Sequence, residues 1–365
     1  MKHCDAPVLI MAGGTGGHVF PALAVAHELM GLGVPVIWMG THQGMEAGIV
    51  TQANIPMHWI NVSGLRGKGI FKMLIAPFIL FKALIEAARI LHKTRPRVVL
   101  GMGGFVSGPG GLMAWLMRYP LVIHEQNRIA GLTNRWLRPL ATRALEAFPG
   151  SLRASRKTLC LGNPVRADIS AIAPPQQRLV QRSGLLRVLV LGGSLGAQVL
   201  NELMPKVFKQ CACEVRHQAG RRGLVEAQQA YHKQGLEVQL DAFIDDMAAA
   251  YAWADVVVCR AGALTIAELA AVGVASILVP YPYAVDDHQS ANAHYLSDEG
   301  AAILLSQTDF QVDTVVELLT DFIADRTALV NMACVARSLA QLQATQNIAA
   351  VCLQNSSLGG EVLNG

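Results

Sequence analysis

Val8-Leu9-Ile10-Met11-Ala12-Gly13-Gly14-Thr15-Gly16-Gly17-His18 is the stretch that decides the fold. A short apolar run ends in a four-glycine loop, and Ala22 to Met30 then reads as helix. Strand, tight loop and helix in that order open a parallel α/β sheet. Glycines in such a loop let backbone N–H groups approach an anion at the helix start, where the helix dipole favours negative charge. A tight turn without a ligand is the plain alternative, but four glycines with Thr15 and His18 among them exceed what turning requires.

The same alternation continues outward. Val36–Met39, Val98–Leu100 and Leu121–Ile123 read as strands, the last two followed by glycine-rich or polar loops and helices. Arg187–Leu191 then runs into Gly192-Gly193-Ser194-Leu195-Gly196-Ala197 and a further helix, repeating the opening pattern. Val256–Val258 and Ser276–Val279 are later strands of the second set. Two such openings predict two doubly wound domains in tandem, with ligands at the carboxyl ends of both sheets and in the cleft between the domains. The linker is expected near Ala173-Pro174-Pro175-Gln176-Gln177.

At 365 residues the chain exceeds one ordinary domain of about 150. With 52% hydrophobic and 15% charged residues it is too apolar for a disordered chain. Residues 6–27, 98–117 and 269–285 lack Asp, Glu, Lys and Arg, so each could be read as a membrane span. Glycine clusters break the first two, and Pro280 and Pro282 break the third. Exposed loop backbone is not tolerated in lipid, so all three read as buried strand, loop and helix. Lys2 followed by Asp5, before a glycine loop, is a poor secretion signal. Seven cysteines, an odd number without a Cys-x-x-Cys, read as reduced thiols, most of them core residues. Residues 1–170 carry 18 Lys and Arg against 7 Asp and Glu, whereas residues 171–365 carry 12 against 19. A basic half joined to an acidic one suggests that the first meets an anionic surface: nucleic acid, an acidic membrane or a phosphorylated substrate.

Familiar nucleotide patterns do not fit. The glycine spacing differs from the dinucleotide fingerprint, and Trp38-Met39-Gly40-Thr41 offers no carboxylate for a ribose. No Walker loop is present, and no Asp-x-Asp is available to hold a nucleotide-bound metal. Arg260-Ala261-Gly262-Ala263-Leu264-Thr265-Ile266-Ala267-Glu268 does follow a strand. Small residues at its helix start leave room for a diphosphate, and Glu268, one turn in, could accept from both hydroxyls of a ribose. A helix glutamate favoured by the N-terminal dipole is the alternative. Asp286–Asn292 and His124-Glu125-Gln126-Asn127 lie at two more strand ends, as ligand loops or as capped turns.

Together, residues 12–21, Ser63-Gly64-Leu65-Arg66-Gly67-Lys68, residues 101–111, His124–Asn127, Gly162-Asn163-Pro164-Val165-Arg166, Gly192–Ala197 and Cys259–Glu268 resemble the MurG family, from about residue 7 to about residue 350. That resemblance implies the GT-B fold, two tandem Rossmann-like domains with an interdomain cleft. Residues 1–165 would face acceptor and membrane, and residues 166–340 would bind the UDP-sugar. Residues 341–365 would form a helix packing back on the first domain, then a loose tail beginning at Ser356. The implied reaction moves N-acetylglucosamine from UDP-GlcNAc to the 4-hydroxyl of MurNAc in undecaprenyl-pyrophosphoryl-MurNAc-pentapeptide (lipid I), giving lipid II and UDP. Inversion at the anomeric carbon implies a single displacement without a covalent intermediate. No cofactor and no metal are expected.

The resemblance also assigns residues. Ile244 would hold uracil through its backbone and Glu268 the ribose. Ser194 and Ala263-Leu264-Thr265 would face the diphosphate, and Ile266 and Ala267 would also belong to the residues that bind UDP-GlcNAc. Arg166, Gln289 and Asn292 would reach the diphosphate or the sugar, while Thr15, Gly16, Gly17 and Asn127 would approach the donor from the first domain. His18 is the candidate base, since an imidazole titrates near neutral pH; the alternative is that it only binds acceptor phosphate. Phe105 stands where many relatives carry Tyr, and Leu195 where some carry Gln, so neither can supply that side-chain chemistry.

The partners implied are UDP-GlcNAc, lipid I, the anionic cytoplasmic face of the inner membrane bound peripherally, and proteins of cell-wall synthesis or division; nucleic acid is not expected. Ile75, Phe78 and Ile79, with Lys72 and Lys82 nearby, are the candidate membrane contact, against a buried helix kinked at Pro77. Three rival readings remain: another GT-B enzyme, such as a different UDP-sugar transferase or an epimerase; an NAD-dependent oxidoreductase, disfavoured by the missing ribose acids; and a non-catalytic membrane-binding protein, which leaves the phosphate loops unexplained.

Overall fold

The computed structural model describes residues 6–62, 70–193 and 196–356, without the side chains of residues 70–75 and 285. Of the segments singled out above, Ser63–Lys68, Ser194, Leu195 and the tail beyond Ser356 lie outside the described residues. The chain forms two compact units: one runs to Pro164 and takes up again at Gln343, and the other spans Val165–Leu342.

In the first unit the described strands are β1 (Val8–Met11), β2 (Val36–Gly40), β3 (Met57–Trp59), β4 (Val98–Gly101), β5 (Leu121–Glu125), β6 (Arg143–Glu146) and β7 (Thr158–Cys160). They form one parallel sheet in the order β3-β2-β1-β4-β5-β6-β7. β1 is wholly buried, as a central strand covered on both faces must be. Its alternate residues serve opposite layers. Val8 and Ile10 pack with Val25 and Leu29, while Leu9 and Met11 pack with Ala87, Leu91 and Val99. The helices are α1 (Gly16–Gly31), α2 (Glu46–Gln52), α3 (Ile70–Thr94), α4 (Ser107–Leu116) and α5 (Leu132–Leu137). Met11 pairs with Met39 on one side and with Gly101 on the other, so the loops after β1, β2 and β4 leave the sheet at one level.

The second unit repeats this plan. After α6 (Ala167–Ser170) and α7 (Pro175–Arg178) come β8 (Leu186–Leu191), α8 (Gln198–Gln210), β9 (Cys213–Gln218), α9 (Leu224–Lys233), β10 (Gln239–Asp241), α10 (Met247–Trp253), β11 (Val256–Cys259), α11 (Ala263–Val272), β12 (Ala275–Leu278), α12 (His288–Ser297), β13 (Ile303–Leu304), α13 (Val312–Ala324) and α14 (Arg326–Ser338). The described strands are parallel in the order β10-β9-β8-β11-β12-β13. In each sheet the order reverses beside the opening strand, between β1 and β4 and between β8 and β11. That switch point is where open α/β sheets bind ligands. The last helix, α15 (Ala344–Gln354), places Ile348, Ala349 and Cys352 in the core that holds Val8 and Val25.

Two sequence expectations are corrected. The proline-rich stretch 173–177 is not the linker, because the division falls between Pro164 and Val165. Pro175 is buried at the start of α7, where its missing N–H costs nothing. Arg178 and Arg182 then tie this segment to the carbonyls of Ala254 and Gly273 and to the carboxylate of Asp255. The first glycine loop is also shorter than expected. α1 begins at Gly16 with extended Thr15 as its N-cap, so Gly16, Gly17 and His18 form the first turn of the helix.

Candidate active site

The loop after β1 is held from beneath by Glu46, which is completely buried. One of its oxygens accepts from Gly14 N at 3.0 Å; the other accepts from Thr41 N at 2.9 Å and Thr41 Oγ1 at 2.8 Å. A buried carboxylate survives only with such donors. The space around it is closed: a Cβ on Gly13 would lie 2.6 Å from the carboxylate and one on Gly44 2.0 Å from it. The loop after β4 closes from the other side. Gly104 has φ +82°, and a Cβ there would stand 2.2 Å from the carbonyl oxygen of Gly13. Ser107 Oγ bonds the carbonyls of Met11 and Gly103, and Trp38 Nε1 bonds that of Ala12. With its loop fixed in this way, α1 presents Thr15 and Gly17 exposed, with Gly16 and His18 half-buried.

His18 Nδ1 lies 3.0 Å from Thr15 Oγ1. Its ring rests against Gly103, where a Cβ would come within 2.3 Å of Cδ2 and 2.7 Å of Nε2. If Nδ1–H donates to Thr15, Nε2 carries the lone pair that a general base needs.

His124, Glu125 and Gln126 serve as scaffold. All three are buried. His124 Nε2 pairs with the Gly162 carbonyl, and burial pushes the imidazole down to about 4, with that hydrogen bond pulling the other way. Glu125 accepts from Asn127 N, Gly131 N and Asn134 Nδ2, which fixes the turn carrying half-buried Asn127. Gln126 Nε2 donates to the Met102 carbonyl, and Asn163 Nδ2 to the Gln126 carbonyl. The strand-end polar cluster thus joins the loops after β4, β5 and β7.

In the second unit the loops after β8 and β11 emerge together, with Leu191 paired to Cys259. Gly196 has φ +84°, and a Cβ there would stand 2.3 Å from the Ala219 carbonyl oxygen, so only glycine lets this loop turn so close to its neighbour. α11 starts at extended Gly262 with no side-chain cap, the arrangement that suits an incoming anion. Leu264, Thr265 and Ala267 are half-buried there, and Ala263 is buried. Ile266 is buried in the core, and its N–H bonds the Gly262 carbonyl at 2.9 Å, so it supports the helix start rather than facing a ligand.

Glu268, 8% exposed, sits one turn in. Its Oε2 accepts from Tyr251 at 3.0 Å, and Arg166 Nη2 stands 3.9 Å from Oε1. Burial pushes its carboxyl up to about 7; Arg166 and the Tyr251 hydroxyl oppose that rise, and Asp168 adds to it. Half-buried Ile244 lies in the loop that leaves β10. Gln289 and Asn292 brace loops in this structure. Gln289 Oε1 accepts from Tyr281 N, and buried Asn292 donates to the Ala261 carbonyl. Asp287 is the N-cap of α12 in position only: its φ is +51°, and its carboxylate accepts from Ser290 Oγ rather than from a helix N–H.

Sequence reasoning missed Glu46, Trp38, Ser107 and Tyr251. A glutamate opening a short helix reads as solvent-exposed, and nothing local says otherwise. On α3, Phe78 is 76% exposed and Phe81 64% exposed, with Lys82 beside them. The buried-helix reading is therefore excluded at Phe78. Ile79 is half-buried, the side chains of Lys72 and Ile75 lie outside the described residues, and Phe81 takes the exposed place expected of Ile79. Trp136 on α5 is 74% exposed. No helix among the described residues is long and apolar enough to cross a membrane.

Two parallel sheets of this strand order, each with a glycine loop at its switch point, form a pair of doubly wound domains of the kind that bind nucleotides. The glycosyltransferase family 28 N-terminal domain matches residues 8–146, and the family 28 C-terminal domain matches residues 187–350. The UDP-N-acetylglucosamine--N-acetylmuramyl-(pentapeptide) pyrophosphoryl-undecaprenol N-acetylglucosamine transferase of Marinobacter nauticus is 52% identical over 95% of this chain and 96% of its own. The transferase of the same name from Nitrosococcus oceani is 52% identical over 96% of this chain and 99% of its own. The crystal structure of Acinetobacter baumannii MurG superposes with a TM-score of 0.81 at 41% identity, covering 95% of this chain and 99% of that one. The chain belongs to the MurG family.

Proposed function

We propose that this chain is the N-acetylglucosaminyltransferase that converts lipid I to lipid II. It moves N-acetylglucosamine from UDP-GlcNAc to the 4-hydroxyl of MurNAc and releases UDP. The observation that carries the reading is Glu268 beside Arg166 at the uncapped start of α11, on the switch point of the second sheet. A buried carboxylate facing a guanidinium next to the positive end of a helix suits a nucleotide: hydroxyls for the acid, diphosphate for the cation and the helix end.

On this reading the second unit binds the donor. Ile244 holds uracil, Glu268 the ribose, and Ser194 with Ala263, Leu264 and Thr265 the diphosphate, with Arg166, Gln289 and Asn292 reaching the diphosphate or the sugar. The first unit supplies Thr15–Gly17 and Asn127, and His18 as base. His18 takes the proton from the acceptor hydroxyl as that oxygen attacks the anomeric carbon. The leaving diphosphate's charge is spread over Arg166 and the helix N–H groups. The enzyme works peripherally at the cytoplasmic face of the membrane, with Phe78 and Phe81 entering the interface and Lys72 and Lys82 meeting anionic headgroups. Transfer of labelled N-acetylglucosamine from UDP to a lipid I analogue tests the activity. Transfer to simple sugars but not to lipid I would point instead to another UDP-sugar transferase.

A further inference from the structure

Tyr251 is 1% exposed, and its hydroxyl crosses from α10 to α11 to donate to Glu268 Oε2 at 3.0 Å. Burial, and then the charge of Glu268, push this phenol well above its ordinary range, so it stays a donor at every working pH. The other ionisable groups facing the carboxylate are Arg166 at the N-cap of α6, Asp168 in its first turn, and Cys259 at the end of β11. Arg166 is at 3.9 Å, beyond hydrogen-bond length, so it attracts the carboxylate without fixing its rotation. Tyr251 does fix it. The wedged ring has no freedom, and one lone pair of Oε2 is committed to it, so the remaining lone pairs of Glu268 point in set directions.

We propose that Tyr251 is a positioning residue for donor recognition, locking the Glu268 carboxylate so that it accepts from both vicinal hydroxyls of the nucleotide ribose. The inference rests on the assignment of Glu268 to the ribose. A carboxylate free to rotate can satisfy one hydroxyl in many orientations but two only in a few. The lock therefore governs discrimination between ribo- and 2′-deoxyribonucleotides more than it governs general affinity.

The test is calorimetric binding of UDP and 2′-deoxy-UDP to the full chain, as wild type, Tyr251→Phe and Glu268→Gln, alongside donor KM and kcat. Tyr251→Phe keeps the ring and removes the donor. It should weaken UDP about tenfold, the scale of one charge-assisted hydrogen bond. Binding of 2′-deoxy-UDP should change much less, so the preference for UDP collapses, and the kinetic effect should fall on donor KM rather than on kcat. A 4-aminophenylalanine at position 251 returns a donor to the same place and should restore the preference; if Tyr251→Phe does not fold, this variant carries the test, and loss of the preference in it overturns the proposal. If Glu268→Gln keeps the wild-type preference, the ribose assignment itself is wrong. If Glu268→Gln loses the preference while Tyr251→Phe keeps it, the assignment stands and the role given to Tyr251 is overturned.

Discussion

Glu46 accepts the backbone N–H of Gly14 at 3.0 Å, and that bond ties the loop after β2 to the loop after β1. It determines which N–H groups of the glycine loop remain for a ligand: Gly14 is committed downward and the His18 N–H bonds the Thr15 carbonyl at 3.1 Å, which leaves those of Gly16 and Gly17. The same carboxylate holds Thr41 through its other oxygen, so the charge is shared over three donors on two loops.

Glu46→Gln should leave the fold intact but exchange one acceptor oxygen for an amide that faces donors. Each bond to the carboxylate is worth about 1.5–3 kcal/mol, so the β1 loop should loosen and kcat should fall at least tenfold. The UDP-induced thermal shift should persist, because the residues proposed to hold uracil and ribose, Ile244 and Glu268, belong to the second unit. Melting curves with and without UDP, run beside turnover, check this; wild-type kcat in the variant contradicts it.

Buried Glu268 costs the empty protein stability at high pH. Its folded pKa is raised to about 7 from 4.5, so its stabilising contribution to the empty protein is complete below pH 4.5 and is lost as pH rises through 7. Glu268→Gln should therefore stabilise the ligand-free chain at pH 8, on the order of a few kcal/mol, with the gain vanishing below pH 4.5. The same variant should lose most of its stabilisation by UDP. Urea midpoints at pH 4.5 and pH 8, with and without UDP, give both signs.

His18→Ala should cost roughly 10²–10⁴-fold in kcat, the usual range for a positioned base, with UDP affinity nearly unchanged. Thr15→Val, which keeps the bulk and removes the hydroxyl 3.0 Å from Nδ1, should cost less but in the same parameter. Near-normal kcat in His18→Ala would move the base role elsewhere.

Phe78→Ser with Phe81→Ser should weaken binding to anionic vesicles most at high salt, where the lysine contribution is screened and the apolar one is not. Both rings are already exposed, so the melting temperature should hold and turnover on a soluble lipid I analogue should survive. Unchanged flotation with vesicles in high salt removes these two rings from the membrane contact.

The amino-acid sequence determined the two parallel sheets, their glycine loops and the family, because strand alternation, helical period and the need for glycine at a turn are local. Val8–Met11 and Leu186–Leu191 announce buried strands without any partner in view. Tertiary structure decided the rest. Glu46 becomes a buried brace only because Gly14, 32 residues away in sequence, is folded on to it. Tyr251 reaches Glu268 only because α10 and α11 flank one strand. Pro175 looked like a linker until α7 buried it, and Phe81 rather than Ile79 faces out because the rotation of α3 is set by what it packs against. Hydrogen bonds between distant residues and the facing of a helix are properties of the packed chain, and no run of neighbouring residues encodes them.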